Sequence, residues 1–266
     1  MNRILLTAIK AALNAGKEII EVYNEDDFDV KIKSDNSPLT AADKQAHKII
    51  SEELSKTNIQ ILSEEGKNIP FNERSKWEIY WLVDPLDGTK EFIKRNGEFT
   101  VNIALIKKDT PILGVIYVPV TKDLYFSEES MGAFKAINID HETDISDITS
   151  LMKLSFKLPF IQDNELFTIV GSRSHMNEET ESFIKKLTSK HGEIDFISKG
   201  SSLKICMVAE GIANIYPRFA PTMEWDTAAG HAIALGSGCT VTQSDELTPV
   251  VYNKENLLNP WFIVKR

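Results

Sequence analysis

The sequence predicts an α+β fold in two lobes: an antiparallel β meander covered by helices, then a lobe in which strands and helices alternate. Amphipathic helical patterns open the chain, short β-rich segments separated by turn residues follow Trp81, and helical and strand patterns alternate in the second half. Each pattern has one apolar face to bury, so we expect layered helices and sheets. One domain over residues 1–266 is expected, with lobes of about 1–155 and 156–266 and a site in the cleft between them.

Two helices are predicted ahead of the meander. The first 24 residues carry apolar side chains at helical spacing with a charged opposite face, at Ile4, Leu5, Ala8, Ala12, Ile19 and Ile20. Charged residues interrupt this segment, which argues against a secretion signal. A second helix is predicted within SPLTAADKQAHKIISEELSK, where Thr40 and Asp43 have the spacing of a capping box.

The meander is predicted from a series of short apolar runs with turn residues between them. NIQIL is a short strand that leads into SEEG, and WLV before the DPLDGT turn is the end of a buried strand. The runs after that turn are FTVNIALI, PILGVIYVP, DLYFSEE and GAFKAI. Residues of about 138–165 are polar, and the pattern predicts an irregular surface excursion between the two halves.

In the second half, strand and helix patterns alternate. The predicted strands are LFTIVGS, IDFIS, ANIYP and CTVTQ. The predicted helices between them are MNEETESFIKKLTSK, SLKICMVAEG and WDTAAGHAIALGSG. Such alternation is typical of a mixed β-sheet with helices packed on its faces.

Composition excludes several classes of protein. The chain of 266 residues carries 30 basic and 39 acidic side chains, a net charge of −9, which argues against a binder of nucleic acid or of an anionic membrane. No apolar run is long enough to cross a bilayer, so a transmembrane segment is not expected. Cys206 and Cys239 lie far apart outside any metal motif, which is typical of inert core residues in a reducing cytosol.

Acidic residues collect where predicted strands end or helices begin. The six positions are Asp43, Glu64, Glu65, Asp84, Asp87 and Asp226. Each alone is explained as a cap or turn residue. Together they form the set of carboxylates that a site for hard cations such as Mg²⁺ requires. The histidines have no zinc-binding spacing.

The DPLDGT turn also predicts an anion site. DGTKEF has the pattern of a helix entry, with backbone amides at Gly88 and Thr89 that can bind a phosphate. Carboxylates that hold metal next to amides that hold phosphate are the components of a metal-dependent phosphatase.

These motifs resemble a known family. DNSPLTAAD, LSEEG, WLVDPLDGTKEF and EWDTAAG are similar to the motifs of the Mg²⁺-dependent, lithium-sensitive phosphatases of the inositol monophosphatase superfamily, over nearly the whole chain. The resemblance implies an α-β-α-β-α layered sandwich. GSSLKICMVAEGIANIYPRFAPTMEWDTAAGHA and LLNPWF resemble the branch of 3′(2′),5′-bisphosphate nucleotidases. This second resemblance implies hydrolysis of adenosine 3′,5′-bisphosphate to AMP and phosphate, with a role in sulfur assimilation or nucleotide recycling.

The resemblance also implies roles for individual residues. Two or three Mg²⁺ ions are held by Glu64, Asp84, the carbonyl of Leu86, Asp87 and Asp226. Thr89, hydrogen-bonded to Asp43, helps deprotonate the attacking water, and Glu64 belongs to the same catalytic set, with Glu65 in a supporting role. The metal ligands Glu64, Leu86, Asp87 and Asp226 also contact the substrate, together with Gly88, Thr89, His175, Ser201, Lys204 and Arg218. Asn214 stands where relatives often carry an acid or another polar residue.

Two other functions are weighed against the nucleotidase. An inositol or sugar phosphatase would use the same metal site, but its substrate pocket would need polar acceptors for hydroxyls instead of the cations Lys204 and Arg218. A binding protein without catalysis would need neither Thr89 nor Asp43. A cytoplasmic protein is expected, and the sequence leaves open the oligomeric state, the metal count, the choice between 3′- and 2′-phosphates and a peripheral contact with the inner membrane. Trp225 is interpreted as a core residue.

Overall fold

Layers of helix and sheet alternate through the molecule in the order α-β-α-β-α, which confirms the predicted fold class. The computed structural model describes residues 2–25, 31–32, 38–160, 165–172 and 176–266. The helices are α1 (Asn2–Tyr23), α2 (Ala41–Ser55), α3 (Phe71–Arg74), α4 (Thr89–Ile93), α5 (Ile148–Lys153), α6 (Glu178–His191), α7 (Leu203–Glu210) and α8 (Glu224–Gly236).

Most of the strands belong to two sheets. The first seven strands in chain order are β1 (Lys31–Ile32), β2 (Pro38–Leu39), β3 (Gln60–Ser63), β4 (Ile79–Asp87), β5 (Thr100–Lys107), β6 (Thr110–Val118) and β7 (Asp123–Glu128). The others are β8 (Gly132–Ala136), β9 (Phe156–Lys157), β10 (Phe167–Gly171), β11 (Ile194–Ser198), β12 (Ile215–Arg218), β13 (Thr240–Gln243) and β14 (Phe262–Lys265). β1 and β2 pair with each other as a separate ribbon.

The larger sheet is the predicted meander. Its strand order is β3-β4-β5-β6-β7-β8-β9; β3 and β4 are parallel and every following pair is antiparallel. α1 and α2 cover one face, where the apolar side of α1 buries Leu5, Ile9 and Ile19. That burial is the reason for the helical periodicity seen at the start of the chain.

The smaller sheet joins the parallel and antiparallel parts of the second half. Its order is β11-β10-β12-β14-β13, with β10 parallel to both β11 and β12, and with β14 antiparallel to β12 and β13. α7 and α8 fill the space between the two sheets, and α6 covers the outer face over Ile169, Ile215 and Ile263. No helix in the described part of the chain has both the length and the apolarity that a membrane crossing requires.

The fold differs from the sequence prediction in several places. The segment of about 138–165, expected to be irregular, contains α5, because Ile145, Ile148 and Leu151 are buried in the core over the larger sheet. It also contains β9, which pairs with β8 at the edge of that sheet. Residues 161–164 of that segment lie outside the described residues. β14 was not predicted, because a strand is recognised in the sequence by turn residues on both sides of an apolar run, and this short run has them on one side only. The boundary between the lobes near residue 155 stays a prediction.

Candidate active site

A β-bulge in β4 explains why two carboxylates three residues apart can serve one site. The strand was predicted to end at Val83 but continues to Asp87. Asp84 lies opposite Asn102 and Asp87 lies opposite Thr100, so three steps along β4 match two steps along β5. The extra residue turns Asp84 and Asp87 toward the same face of the sheet, as positions two apart would be in a regular strand.

Three elements bring carboxylates together at this end of the sheet. Carboxylate oxygens of Glu64, Asp84 and Asp226 lie within 4.8 Å of one another. Glu64 follows β3, and its N–H donates to the carbonyl of Val83 at 3.1 Å. Asp226 lies in the first turn of α8, where its carboxylate accepts the N–H of Met223 at 2.9 Å. A helix cap and a strand end therefore supply oxygens to one cluster.

The electrostatics of the cluster favour a cation. Burial raises the pKa of Asp84 well above its ordinary value, and the nearby carboxylates of Glu64 and Asp87 raise it further. Burial and the charge of Asp87 also raise the pKa of Asp226, against the opposing effect of the Met223 N–H. Carboxylates that repel one another in a buried site are stabilised by a bound divalent ion, and an all-oxygen donor set suits a hard one.

Asp87 and Leu86, the other two predicted ligands, lie at the bulged end of β4. One oxygen of Asp87, Oδ2, accepts the Ser201 hydroxyl and the Ser202 N–H, each at 2.6 Å. The N–H of Leu86 donates to Asp84 at 3.1 Å, which orients the turn. The carbonyl of Leu86 accepts a longer hydrogen bond of 3.4 Å from the Thr89 hydroxyl.

The predicted pair of Thr89 and Asp43 is in contact. The Thr89 hydroxyl donates to Oδ1 of Asp43 at 3.3 Å. The other oxygen, Oδ2, accepts the N–H of Thr40 at 2.8 Å and its hydroxyl at 2.5 Å. Asp43 thus caps α2 with one oxygen and faces Thr89 with the other. Gly88 precedes α4 with a φ of +92°, a backbone conformation that favours glycine.

One pocket joins the carboxylates to the predicted substrate residues. It is lined by, among others, Asp87, Gly88, Ser201, Lys204, Arg218 and Asp226. The buried Lys204 ammonium donates to the carbonyl of Ser201 at 2.6 Å and lies 5.5 Å from the centre of the Tyr216 ring. Arg218 donates to the carbonyl of Pro221 at 3.0 Å. His175, also predicted for this pocket, lies outside the described residues.

Two residues have contacts that the sequence did not indicate. The Ser201 hydroxyl, predicted to face the substrate, donates to the side chain and the carbonyl of Asp87. The side-chain oxygen of Asn214 accepts the N–H of Thr168 at 2.7 Å, so this departure from the family motif joins β10 to the start of β12. Trp225 packs at the edge of the core between the sheets, as expected. The supporting role of Glu65 stays a prediction.

Sequence reasoning missed the buried polar residues behind Asp87. Thr100 and Asn102 on β5 and the Ser202 side chain form hydrogen bonds with one another. The available signal was a pair of polar residues, two positions apart, inside the otherwise apolar run FTVNIALI. A buried polar side chain in a core strand requires hydrogen-bond partners, and it therefore indicates a specific polar interaction at that place in the core.

Comparisons with known proteins identify the family and support the fold. The model of the inositol monophosphatase family matches residues 1–261. A 3′(2′),5′-bisphosphate nucleotidase CysQ of Salmonella typhimurium is 43% identical over 256 residues, covering 95% of this chain and 96% of that protein. The crystal structure of CysQ from Bacteroides thetaiotaomicron superposes with a TM-score of 0.93 at 51% identity, covering 100% of this chain and 97% of the other. The suhB protein of Bartonella henselae, at 24% identity and a TM-score of 0.72, covering 99% and 94%, shares the fold.

Proposed function

The chain belongs to the inositol monophosphatase family, and from that premise we propose that it is a Mg²⁺-dependent 3′(2′),5′-bisphosphate nucleotidase. Its substrate would be adenosine 3′,5′-bisphosphate, converted to AMP and phosphate. The observation that carries this proposal is the single pocket in which Asp87 and Asp226 face Lys204 and Arg218. CysQ proteins of 43–44% identity over nearly their full length support the same substrate.

The described residues fit a family that depends on metal ions. Glu64, Asp84, Asp87, Asp226 and the carbonyl of Leu86 would hold two or three Mg²⁺ ions, since all five donors are oxygens and two of the carboxylates have raised pKa values. When bound, Mg²⁺ offsets the charge of the phosphate and lowers the pKa of a coordinated water. Without such cations a phosphate dianion would be repelled by these carboxylates and by a chain of net charge −9.

Thr89 and Asp43 would take up the proton of the attacking water. The Thr89 hydroxyl already donates to Oδ1 of Asp43, so its oxygen lone pairs remain available to a water on the other side. As the water attacks phosphorus, its proton moves to the Thr89 oxygen and the Thr89 proton moves to Asp43. The capping bonds from Thr40 hold Asp43 in place throughout this transfer.

Two cations in the pocket favour a substrate with a second phosphate over one with an inositol ring. Lys204 and Arg218, on α7 and β12, line the same pocket as Asp87 and Asp226. A guanidinium can bind a phosphate through two parallel hydrogen bonds, which an inositol hydroxyl cannot match. We therefore propose that Arg218 binds the 5′-phosphate while the 3′-phosphate lies at the carboxylates.

A phosphate-release panel tests the substrate. With Mg²⁺ present, adenosine 3′,5′-bisphosphate should be turned over far better than inositol 1-phosphate, fructose 1,6-bisphosphate or AMP. Arg218→Ala should lower kcat/KM for adenosine 3′,5′-bisphosphate by about 30- to 1000-fold, the range for breaking a buried charge pair, and should leave 3′-AMP nearly unchanged. Arg3→Ala, at an exposed position on α1, is the matched control. Equal losses on both nucleotides would assign Arg218 a structural role.

A second experiment tests the metal site without substrate. Mg²⁺ should raise the Tm of the wild type, because a ligand that binds only the folded state stabilises it. Asp87→Asn removes the charge but keeps the shape, and should abolish turnover along with most of the Mg²⁺-dependent rise in Tm. An Asp87→Asn protein with wild-type rates would contradict the assignment. Lithium is expected to inhibit the wild type.

A further inference from the structure

Behind Asp87, a group of buried polar side chains joins the larger sheet to the loop before α7. It consists of the buried Thr100, Asn102 and Ser202 and the half-buried Ser201, and is called the Asn102 group below. Thr100 is 0%, Asn102 1% and Ser202 3% exposed. Buried amides and hydroxyls are costly unless hydrogen-bonded, so the bonds within this group determine its arrangement.

The direction of the Asn102 amide follows from its partners. Its oxygen accepts the Ser202 hydroxyl at 2.9 Å and the Thr100 hydroxyl at 3.0 Å. Its nitrogen lies 3.4 Å from Oδ2 of Asp87, to which it donates. An ionised carboxylate only accepts hydrogen bonds, and an amide nitrogen only donates them. Because a hydroxyl can donate or accept, the carboxylate of Asp87 selects the orientation, with the amide nitrogen toward Asp87 and the amide oxygen toward the two hydroxyls.

The same group holds the loop that binds Asp87 most closely. The Thr100 hydroxyl lies 3.0 Å from the Ser201 hydroxyl and 2.8 Å from the Ser202 hydroxyl. Ser201 and Ser202 in turn supply the two 2.6 Å bonds to Oδ2 of Asp87. All three donors on this oxygen thus depend on Thr100 and Asn102, directly or through the loop.

The bulge is the reason Asp87 needs this support. At the bulge the regular pairing of β4 with β5 is interrupted between Asp84 and Asp87. Strand pairing alone therefore defines the direction of the Asp87 side chain less well than that of a residue within a regular ladder. Hydrogen bonds to one oxygen of a carboxylate fix its rotation and leave the other oxygen to face a ligand.

We propose that Asn102 is a positioning residue, which holds the Asp87 carboxylate in the orientation that binds Mg²⁺, with Thr100 holding the oxygen of its amide. The inference rests on the proposed function, since it assumes that Asp87 is a metal ligand. Partners that orient metal ligands typically contribute about 10- to 100-fold to metal affinity or activity. A purely structural role would instead lower stability without changing the Mg²⁺ dependence.

The test measures the Mg²⁺ concentration that gives half of the Mg²⁺-induced rise in Tm, and the concentration that gives half of the maximal kcat. Both should increase by about 10- to 100-fold in Asn102→Leu, which keeps the branched shape without the amide. Thr100→Val removes one hydroxyl at constant shape and should increase both in the same direction. Thr100→Ser keeps the hydroxyl and should retain wild-type values.

Thr168→Val is the matched control outside the Asn102 group. The Thr168 hydroxyl is also buried, on β10, and donates to the carbonyl of Leu166 at 3.1 Å. Its loss should lower Tm and leave both Mg²⁺ midpoints unchanged.

The outcomes separate this inference from the proposed function. Lower Tm with unchanged Mg²⁺ midpoints in both Asn102→Leu and Thr100→Val would overturn the positioning role. If Asn102→Leu does not fold, the comparison of Thr100→Val with Thr100→Ser decides by itself. A wild type that responds to Mg²⁺ but does not hydrolyse adenosine 3′,5′-bisphosphate would refute the proposed substrate, and the midpoints from Tm would still decide the role of Asn102. No response of the wild type to Mg²⁺ would overturn both.

Discussion

Lys204 is a buried cation at the edge of the proposed phosphate pocket. Its side chain is 5% exposed, and the ammonium donates to the carbonyls of Ser201 at 2.6 Å and Lys199 at 3.3 Å. Burial lowers the pKa of Lys204 to about 8; the charge of Asp87 opposes this shift and that of Arg218 adds to it. The charge needed to bind a phosphate is therefore lost only slightly above neutral pH.

The consequence for activity is that kcat/KM should fall at alkaline pH. The pH dependence of kcat/KM reports the free enzyme, so kcat/KM for adenosine 3′,5′-bisphosphate should follow the charged fraction of Lys204. With a pKa of about 8, that fraction falls by about tenfold between pH 7 and pH 9. Lys204→Met should have a lower kcat/KM without this fall. Lys90→Met, at an exposed lysine that lines the same pocket, should keep it.

Stability provides an independent measurement of the same group. The pKa of Lys204 is about 8 in the folded state against an ordinary 10.5, so the unfolded chain binds more protons between these values. Wild-type stability relative to Lys204→Met should therefore rise with pH across this window, by about 1.4 kcal/mol per pH unit and about 3 kcal/mol in total. Urea unfolding of both proteins at pH 7.5 and 9.5 measures the change. A constant stability difference, together with an alkaline fall that persists in Lys204→Met, would refute the reasoning.

Three further predictions concern the proton transfer, a buried histidine and the packing of α8. Thr89→Ala and Asp43→Ala should each lower kcat by about 10²- to 10⁴-fold with little change in KM, and the double variant should be barely worse; fully multiplicative losses would show that the two residues act independently. Burial lowers the pKa of His231 from 6.5 to about 3, so wild-type stability should be lost as pH falls below 6.5, by about 1.4 kcal/mol per pH unit. Urea unfolding at pH 7 and 5 should show a smaller loss in His231→Gln, and an equal loss would exclude His231 as its source. Gly114→Ala would place a methyl group against the carbonyl oxygen of Ala229 on α8 and should lower the free energy of unfolding by about 1–3 kcal/mol. An unchanged Tm would show that α8 can move away without cost.

The order and type of most elements were predictable because each shows a local pattern. The apolar positions of α1 recur at helical spacing, and the Thr40 and Asp43 spacing marks the start of α2. The family resemblance inferred from four short motifs is confirmed by the comparisons over residues 1–261. The carboxylates were identifiable for the same reason, since Asp84 lies in a proline turn motif and Asp226 at the start of a helical pattern.

Local patterns failed where burial depends on distant parts of the chain. Ile148 and Leu151 form a buried helical turn in a segment whose composition is polar. β14 occurs because β12 and β13 each leave an edge that it can pair with. Neither the partner nor the edge is visible within a window of a few residues.

The amino-acid sequence alone was sufficient to predict the layered fold class, the family and the carboxylates of the cluster formed by Glu64, Asp84 and Asp226, because periodicity and short motifs are properties of neighbouring residues. The folded molecule was needed to establish the bulge that turns Asp84 and Asp87 to one face, and the hydrogen bonds that tie Asn102 to Ser202. Those two residues are 100 positions apart in the chain. Which buried polar groups form hydrogen bonds with one another depends on which faces come into contact when two sheets pack against the same helices. No local sequence pattern specifies those contacts.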